Sequence, residues 1–120
     1  LLDAEISFIK LASYSGTHTT GTVKQLIGLN EDLTGRTVIV LEDIVDSGIT
    51  IANTIEQIKA KNPADIKIAT LLLKPDALQV KVQLDYIGIE IPNDFIVGYG
   101  LDYDGRGRNL IDIYKVTEKK

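Results

Sequence analysis

The stretch from Val38 to Thr50 constrains the fold more than any other part of the chain, because it changes character twice within one short run. It reads Val-Ile-Val-Leu-Glu-Asp-Ile-Val-Asp-Ser-Gly-Ile-Thr. Consecutive apolar residues without polar alternation predict a strand covered on both faces, as in the middle of a parallel sheet. A strand covered on both faces cannot hold a carboxylate until it leaves the covered part of the sheet. We therefore expect Glu42 and Asp43 at its carboxyl end, where open α/β sheets bind ligands.

A helix is predicted to follow this strand, because Ile51, Ile55 and Ile58 recur on one face. Asp46 or Ser47 is suited to cap its N-terminus. Unpaired N–H groups and the macrodipole favour an anion there, and the glycine of the turn lets a phosphate approach the main chain closely. A phosphate site beside an acidic pair suits a substrate with a phosphate and hydroxyl groups or a bound Mg²⁺. An ordinary capped helix with solvated acids explains the turn alone equally well.

Composition limits the possible functions of the chain. It has 120 residues, 44% hydrophobic and 25% charged, as expected for one globular domain over residues 1–120. A net charge of −4 argues against a general binder of nucleic acid or anionic membranes. No apolar run approaches the roughly 20 residues of a membrane span, and no signal peptide is recognisable. The absence of cysteine excludes disulfides and thiolate metal sites, and it fits a cytoplasmic protein.

The first part of the chain predicts two antiparallel strands, at residues 4–13 and 23–28, joined by a loop. The polar residues between them are bracketed by glycines, the composition of a mobile loop that often acts as an active-site lid. His18, the only histidine, lies in this loop without a second ligand residue nearby, so we expect it to be exposed. Because the chain contains no methionine and opens at Leu1 with the approach to a strand, we expect it to be a fragment that lacks an upstream portion.

The second part of the chain predicts a strand–helix–strand unit. Asn62-Pro63 ends the helix, and Ile66 to Leu73 forms the next buried strand, parallel to the first and reached by a right-handed crossover. Lys74 follows this strand and therefore faces the same crevice as the acids, although a snorkelling surface lysine is the alternative. Residues 86–91 and 95–103 are typical of core strands with turns, and residues 110–116 of a last strand.

The central stretch resembles the 5-phosphoribosyl-1-pyrophosphate (PRPP) binding motif of type I phosphoribosyltransferases. In that motif a hydrophobic strand is followed by two acids, two apolar residues and Asp-Ser/Thr-Gly-x-Thr, and residues 38–50 match it throughout. The motif is far more specific than a lone glycine-rich turn, but it leaves the accepting base open. The resemblance implies an α/β fold with a mainly parallel, Rossmann-like sheet flanked by helices, here N-terminally incomplete.

Residues 89–103, Ile-Glu-Ile-Pro-Asn-Asp-Phe-Ile-Val-Gly-Tyr-Gly-Leu-Asp-Tyr, are similar to the hypoxanthine-guanine subgroup of that family. The resemblance implies that Phe95 stacks on the purine and that the backbone of Ile96 bonds the base edge. It further implies that Lys74 contacts the oxygen at position 6 of the purine. Asp102 would join a second Mg²⁺ site near position 2 of the base, and Arg108 would meet pyrophosphate, which its donor fork suits.

The reaction implied by the resemblance is transfer of phosphoribose from Mg²⁺-bound PRPP to hypoxanthine or guanine, with release of pyrophosphate. Glu42 and Asp43 would hold the ribose hydroxyls, directly or through the metal, and stabilise positive charge on the ribose. Asp46 would accept the proton of the imidazole part of the purine as a general base. The implied cradle of the 5′-phosphate consists of Ser47, Gly48, Ile49 and Thr50. Ser13 and Tyr14 match a Ser-Tyr pair in a flexible loop that closes over the reacting centre.

One part of the family pattern is absent, since the upstream Lys-Gly loop that binds pyrophosphate would precede Leu1. The resemblance also implies a dimer or tetramer, and an exposed sheet edge where the missing strand belongs would favour self-association. A module that binds nucleotide without turnover is an alternative, and acceptance of xanthine is another. A generic dinucleotide or nucleoside triphosphate fold is weaker, because neither Gly-x-Gly-x-x-Gly nor Gly-x-x-x-x-Gly-Lys-Ser/Thr occurs.

Overall fold

A computed structural model of the chain describes residues 2–13, 23–27 and 30–117, with only the backbone of residues 11–13 and 23–27. These ranges hold seven strands, one α-helix and a 3₁₀ turn at Pro75–Ala77. The elements in chain order are β1 (Lys10–Ser13), β2 (Val23–Ile27), β3 (Thr37–Val45), α1 (Ile49–Lys59), β4 (Asp65–Leu73), β5 (Tyr86–Glu90), β6 (Ile96–Val97) and β7 (Tyr114–Lys115).

The central sheet is parallel and has the order β3-β4-β5. The register of its first pair runs from Thr37 beside Asp65 to Val45 beside Leu73. Helix α1 connects these two strands, which confirms the predicted strand–helix–strand unit. The buried core between helix and sheet consists of Val45, Ile51, Ile68 and Leu73, with Val40, Ile55, Ile66, Leu78, Val82 and Leu84 packed against it. Because all three strands run in the same direction, their carboxyl ends meet at one edge of the sheet.

Helix α1 buries the face that its sequence predicts, with Ile51 and Ile58 among its buried residues and Ile55 packed on the core. The predicted cap is wrong, because the N-cap is Gly48 rather than Asp46 or Ser47, and no side chain caps that position. A left-handed backbone at this residue, with φ of 83°, turns the chain from strand to helix. The strand continues to Val45, so Glu42 and Asp43 lie within its last four residues, at its carboxyl end as predicted.

The prediction that β3 is covered on both faces is wrong for the residues that the structure describes. Along β3 half-buried residues alternate with exposed ones, and 55% of Ile39 and 78% of Leu41 are exposed. Alternate residues of a strand point to opposite faces, so α1 covers one face and leaves the other open. In the neighbouring strand β4, Leu71 continues this open face at 39% exposure. No described strand pairs with the outer edge of β3.

Several predicted strand boundaries need correction. β1 and β2 are antiparallel as predicted, but residues 4–9 form no strand. Side chains of this segment contact the turn before β3 instead, where Glu5 pairs with Arg36 at 2.8 Å. The predicted last strand shrinks to Tyr114–Lys115, because Leu110 belongs to a turn and donates its N–H to the carbonyl of Gly107 at 3.1 Å. Tyr14 and His18 lie outside the described residues, as does most of the predicted loop.

No helix in the described part of the chain has the length and apolar character needed to cross a membrane.

Candidate functional site

A cavity of about 170 Å³ opens where β3 turns into α1. Strand, turn and helix each contribute side chains or backbone to its wall. The lining residues are Glu42, Ile44, Val45, Asp46, Ser47, Gly48, Thr50 and Ile51. The cavity thus lies at the carboxyl edge of the parallel sheet, the place at which α/β sheets bind ligands.

The turn at Gly48 forms part of the wall of this cavity and begins α1. The first helical hydrogen bond joins the N–H of Ala52 to the carbonyl of Gly48 at 3.0 Å. The N–H groups before Ala52 therefore have no acceptor within the helix. One of them, that of Ile49, donates to the Oγ of Ser47 at a long 3.3 Å. A helix N-terminus with a glycine beside it suits an anion, because the amides and the macrodipole act together.

The segment from Leu78 to Val82 supports the same turn from behind. The N–H of Gln79 donates to the carbonyl of Ser47 at 2.8 Å. A Cβ on Gly48 would lie 3.0 to 3.2 Å from methyl carbons of Leu78, Val80 and Val82. Sequence reasoning missed this contact, although apolar residues at alternate positions in the segment were a usable signal. The turn that faces the cavity is therefore held both by its own strand and helix and by a segment some thirty residues later in the chain.

The two acids of β3 lie on opposite faces of the strand. Glu42 is half-buried on the helix side and lines the cavity. Burial raises the pKa of the Glu42 carboxyl above its ordinary value, and the charge of Asp43 raises it further. Asp43 is exposed, lies outside the lining of the cavity, and accepts the N–H of Ile44 at 2.7 Å. The structure thus brings Glu42 to the cavity beside the turn at Gly48 and leaves Asp43 outside its lining.

Lys74 is a buried lysine at the end of β4, with only 6% of its surface exposed. Its N–H donates to the carbonyl of Val45 at 3.0 Å, which holds the end of β4 against the end of β3. Its Nζ lies 3.4 Å from Oδ2 of Asp46, whose side chain is 57% exposed. The snorkelling alternative is thereby excluded, since the ammonium group points to a cavity-lining carboxylate rather than to open solvent. Two side chains that the sequence predicted separately form one ion pair.

Phe95 follows the carboxyl end of β5 and is 56% exposed. Its carbonyl accepts the N–H of Val116 at 2.8 Å, and the next residue, Ile96, is the register partner of Lys115 on β7. In an antiparallel ladder such a bond flanks a non-hydrogen-bonded pair. The N–H and C=O of Ile96 therefore point away from β7. This orientation leaves a backbone donor and acceptor beside an exposed aromatic ring.

Asp102 and Arg108 form an ion pair in the loop between β6 and β7. Oδ1 of Asp102 lies 3.1 Å from a guanidinium nitrogen of Arg108, and Oδ2 accepts the N–H of Gly105 at 2.8 Å. A second nitrogen of Arg108 donates to the carbonyl of Gly100 at 2.8 Å. Both side chains thus have protein partners in this structure.

The predicted metal residues Glu42, Asp43 and Asp102 do not form a cluster. Within residues 2–13, 23–27 and 30–117, no three side chains of ligand type gather closely enough to hold a metal ion by themselves. Their carboxylate chemistry nevertheless fits Mg²⁺, which proteins often hold through one or two carboxylates while substrate phosphate oxygens and water complete its shell. Of the flexible-loop pair, Ser13 ends β1, while its side chain and the whole of Tyr14 lie outside what the structure describes.

Comparisons with known proteins point in one direction. A profile of the phosphoribosyl transferase domain matches residues 1–104. The hypoxanthine-guanine phosphoribosyltransferase of Mycobacterium tuberculosis is 45% identical over 107 residues, which are 88% of this chain and 53% of the relative. The hypoxanthine phosphoribosyltransferase of Buchnera aphidicola is 41% identical over 120 residues, 99% of this chain and 68% of the relative. The chain thus spans about half the length of the mycobacterial relative.

A solved structure agrees with these relatives. The crystal structure of a hypoxanthine-guanine phosphoribosyltransferase from Bacillus anthracis matches with a TM-score of 0.84 and 42% identity, over 92% of this chain and 65% of that chain. The fold and the sequence therefore point to the same group of proteins.

Proposed function

The chain belongs to the phosphoribosyl transferase domain family, and from that membership we propose that it is part of a purine-salvage enzyme. Membership also confirms the fold class predicted from its central motif. The proposed reaction joins a nitrogen of hypoxanthine or guanine to the anomeric carbon of PRPP, with pyrophosphate as the leaving group. The observation that carries this proposal is the cavity at the end of β3, where a phosphate turn, Glu42 and the Asp46–Lys74 ion pair meet.

The phosphoribosyl part of the substrate occupies this cavity in our proposal. The 5′-phosphate lies against the backbone amides and hydroxyls of the turn, which comprise Ser47, Gly48, Ile49 and Thr50. Glu42 and Asp43 hold the ribose hydroxyls, and their negative charge stabilises the positive charge that develops on the ribose as pyrophosphate departs.

The purine lies beside Phe95 and is held at its edge by the backbone of Ile96. Asp46 accepts the proton that leaves the imidazole part of the purine as the new bond to ribose forms, a role that needs an ionised carboxylate. The ammonium nitrogen of Lys74 lies 3.4 Å from Oδ2 of this aspartate. The same lysine donates to an oxygen at position 6 of the base, which a 6-oxopurine offers and adenine lacks.

Asp102 and Arg108 serve the pyrophosphate side of the reaction. Glu42, Asp43 and Asp102 are the carboxylates that would hold Mg²⁺, which supplies charge neutralisation for pyrophosphate when it is bound. Arg108 is suited to phosphate oxygens because its planar fork offers paired donors. We expect it to exchange its pairing with Asp102 for the substrate. Ser13 and Tyr14 belong to the loop that would close over the bound substrates.

A cytoplasmic homo-oligomer, either a dimer or a tetramer, completes the proposal. The absence of cysteine agrees with the cytoplasm. A nucleotide-binding module without turnover is the second candidate, and the observation that favours it is that Asp43 lies outside the lining of the cavity that contains Glu42. Acceptance of xanthine depends on contacts at position 2 of the purine.

A coupled assay of the purified chain with PRPP, Mg²⁺ and one base at a time tests the proposal. Hypoxanthine, guanine, xanthine and adenine are compared. We expect turnover with 6-oxopurines, and we expect Asp46→Asn to lower kcat by about 10²- to 10⁴-fold because the general base is lost. Asp76→Asn is the matched control, since Asp76 is an exposed acid two residues after Lys74 and should leave kcat unchanged.

Binding separates the two candidate functions when turnover is absent. Binding of inosine monophosphate that weakens in Asp43→Asn, without turnover of any base, identifies a nucleotide-binding module. Turnover of adenine as fast as hypoxanthine contradicts the role of Lys74. If the chain shows no turnover of any base and binds no nucleotide, that result contradicts the proposed function as a whole.

A further inference from the structure

We propose that Tyr103 is a positioning residue for the purine, acting through Phe95. The proposal rests on the proposed function, because it assigns a support to the ring on which the base would stack. The rings of Phe95 and Tyr103 have centroids 5.5 Å apart and planes at 80°, an edge-to-face pair. It is the only aromatic pair among the residues that the structure describes.

The perpendicular arrangement of the Phe95 and Tyr103 rings determines which ring faces a ligand can contact. When the edge of one ring meets the face of another, at most one face of each ring is occupied. Tyr103 therefore leaves at least one face of the Phe95 ring uncovered, in agreement with the 56% exposure of Phe95. An exposed phenylalanine without a neighbour would sample several rotamers, and its fixation on ligand binding would cost conformational entropy. Contact with Tyr103 restricts the ring before the base arrives.

Both partners of the pair are fixed at their backbones. The N–H and C=O of Tyr103 each bond to Arg106, at 2.8 and 3.0 Å, which closes a tight turn. Beside Phe95, the side chain of Asp94 pairs with Lys115 at 2.9 Å, and the Phe95 carbonyl is held by β7. We call Tyr103 the brace of Phe95, because it restricts that ring from one side. A brace can position another group only if its own backbone is fixed, and these hydrogen bonds fix it.

The position of Tyr103 also connects two parts of the proposed site. It follows Asp102 directly, and the Asp102–Arg108 pair flanks the turn from Tyr103 to Arg106. A change in that pair on substrate binding would act on the same turn as the support of the purine ring. Tyr103 was not among the residues singled out from the sequence, since nothing local distinguishes it from the other tyrosines.

The first test observes the Phe95 ring directly. The chain contains only two phenylalanines, Phe8 and Phe95, so selective phenylalanine labelling gives a simple NMR spectrum. We expect Tyr103→Leu to shift the Phe95 ring resonances, because the aromatic neighbour is lost. Tyr114→Leu is the matched control, since Tyr114 is 49% exposed, against 50% for Tyr103, and lies on β7 without an aromatic partner among the described residues.

The second test measures binding of inosine monophosphate and of ribose 5-phosphate to the full chain. We expect Tyr103→Leu to weaken inosine monophosphate binding about twofold to tenfold, the usual worth of an aromatic pair. Ribose 5-phosphate lacks the base, so its affinity should not change. Tyr103→Phe keeps the ring and should restore the affinity for inosine monophosphate, and Phe95→Ala should weaken it at least as much as Tyr103→Leu.

The outcomes distinguish the two levels of the proposal. Unshifted Phe95 resonances in Tyr103→Leu, or unchanged inosine monophosphate affinity when Phe95→Ala is impaired, overturn the brace and leave the proposed function intact. Equal loss of both ligands in Tyr103→Leu also overturns it, since that result signifies general disruption. If the unchanged chain binds no inosine monophosphate, or if Phe95→Ala binds it normally, the purine site of the proposed function fails and the role of Tyr103 fails with it.

Discussion

Gly48 combines two constraints that no other residue type satisfies together. Its φ of 83° lies in the left-handed region, and a Cβ would press on Val82, Val80 and Leu78 at 3.0 to 3.2 Å. The first constraint sets the direction of the chain, and the second allows the segment behind the turn to pack closely. Together they hold the start of α1 at the wall of the cavity.

Gly48→Ala should therefore destabilise the chain and weaken its binding of phosphate. Gly35→Ala is the matched control, because Gly35 has φ of 72° and nothing within 4 Å of an added Cβ. We expect the control to lose about 1 to 2 kcal/mol of the free energy of unfolding from backbone strain alone. Gly48→Ala should lose more, and it alone should weaken ribose 5-phosphate binding. Denaturant unfolding and calorimetric titration measure the two effects, and equal losses in both variants would contradict this account.

Glu42 makes stability depend on pH, because burial and Asp43 raise the pKa of its carboxyl in the folded chain. Between the unfolded and the folded pKa, the folded state holds the proton more strongly than the unfolded state. The contribution of Glu42 to stability is therefore present at low pH and is lost as the pH rises through the folded pKa. Glu42→Gln removes this loss, so we expect it to raise the melting temperature near neutral pH.

The pH dependence of that gain is the decisive measurement. Below the unfolded pKa of glutamate, roughly 4.3, both states carry the proton, so the gain in melting temperature should vanish. Asp43→Asn serves as the comparison, since Asp43 is exposed and asparagine keeps an oxygen that can accept the N–H of Ile44. A gain from Glu42→Gln that is equal at acid and neutral pH would show a packing effect instead.

At the scale of elements, Asp85 starts the pairing of β5 with β4. Its Oδ2 accepts the N–H of Ile68 at 2.7 Å, and its own N–H donates to the carbonyl of Ile68 at 2.9 Å. The side chain is only 17% exposed. Asp85 thus bonds to Ile68 of β4 as a strand residue would, just before β5 begins at Tyr86. These two bonds fix the register of β5 against β4, and β5 leads to Phe95.

Asp85→Ala should lower the free energy of unfolding by about 1 to 3 kcal/mol, because it leaves the buried amide of Ile68 without an acceptor. Asp85→Asn keeps an acceptor oxygen and should cost less. Asp65→Ala is the control, since Asp65 accepts the N–H of Ile66 at 2.9 Å with a 52% exposed side chain, where water replaces it. Urea unfolding measures all three, and a loss in Asp65→Ala as large as that in Asp85→Ala would refute the argument.

At the scale of the whole molecule, the open face of the sheet should drive self-association. Ile39 and Leu41 are 55% and 78% exposed beside the outer edge of β3, and no described strand pairs with that edge. Apolar area and unpaired backbone groups in one place favour contact with another chain. We expect light scattering during size-exclusion chromatography to give a mass above the 13.2 kDa of one chain, rising with concentration.

The double substitution Ile39→Thr and Leu41→Thr should shift the chain toward the monomer. Threonine keeps the β-propensity of these positions and reduces their exposed apolar area. Ile111→Thr is the control, since Ile111 is 85% exposed in the loop before β7 and belongs to no strand of the central sheet. If the unsubstituted chain is strictly monomeric, the prediction of self-association is wrong. If Ile111→Thr lowers the mass as much as the double substitution does, the open face is not the cause of self-association.

The sequence by itself determined the local part of the site. A run of aliphatic residues specifies the strand, a glycine specifies the turn, and the recurring apolar residues of one helix face specify the helix. All three signals act through short-range sterics and burial. Residues 38–50 therefore predicted the strand, the turn at its end and the helix that follows. The place of Lys74 after a second parallel strand followed from the same logic, because parallel strands end at one edge of a sheet.

The tertiary structure decided everything that depends on register and on distant contacts. The extension of β3 to Val45 put Glu42 and Asp43 on opposite faces, and pairing of β3 with β4 brought Lys74 to Asp46. The support behind Gly48 and the ring of Tyr103 against Phe95 involve residues far apart in the chain or without a local pattern. Such contacts depend on how elements pack, whereas sequence periodicity reports only which side of one element is buried.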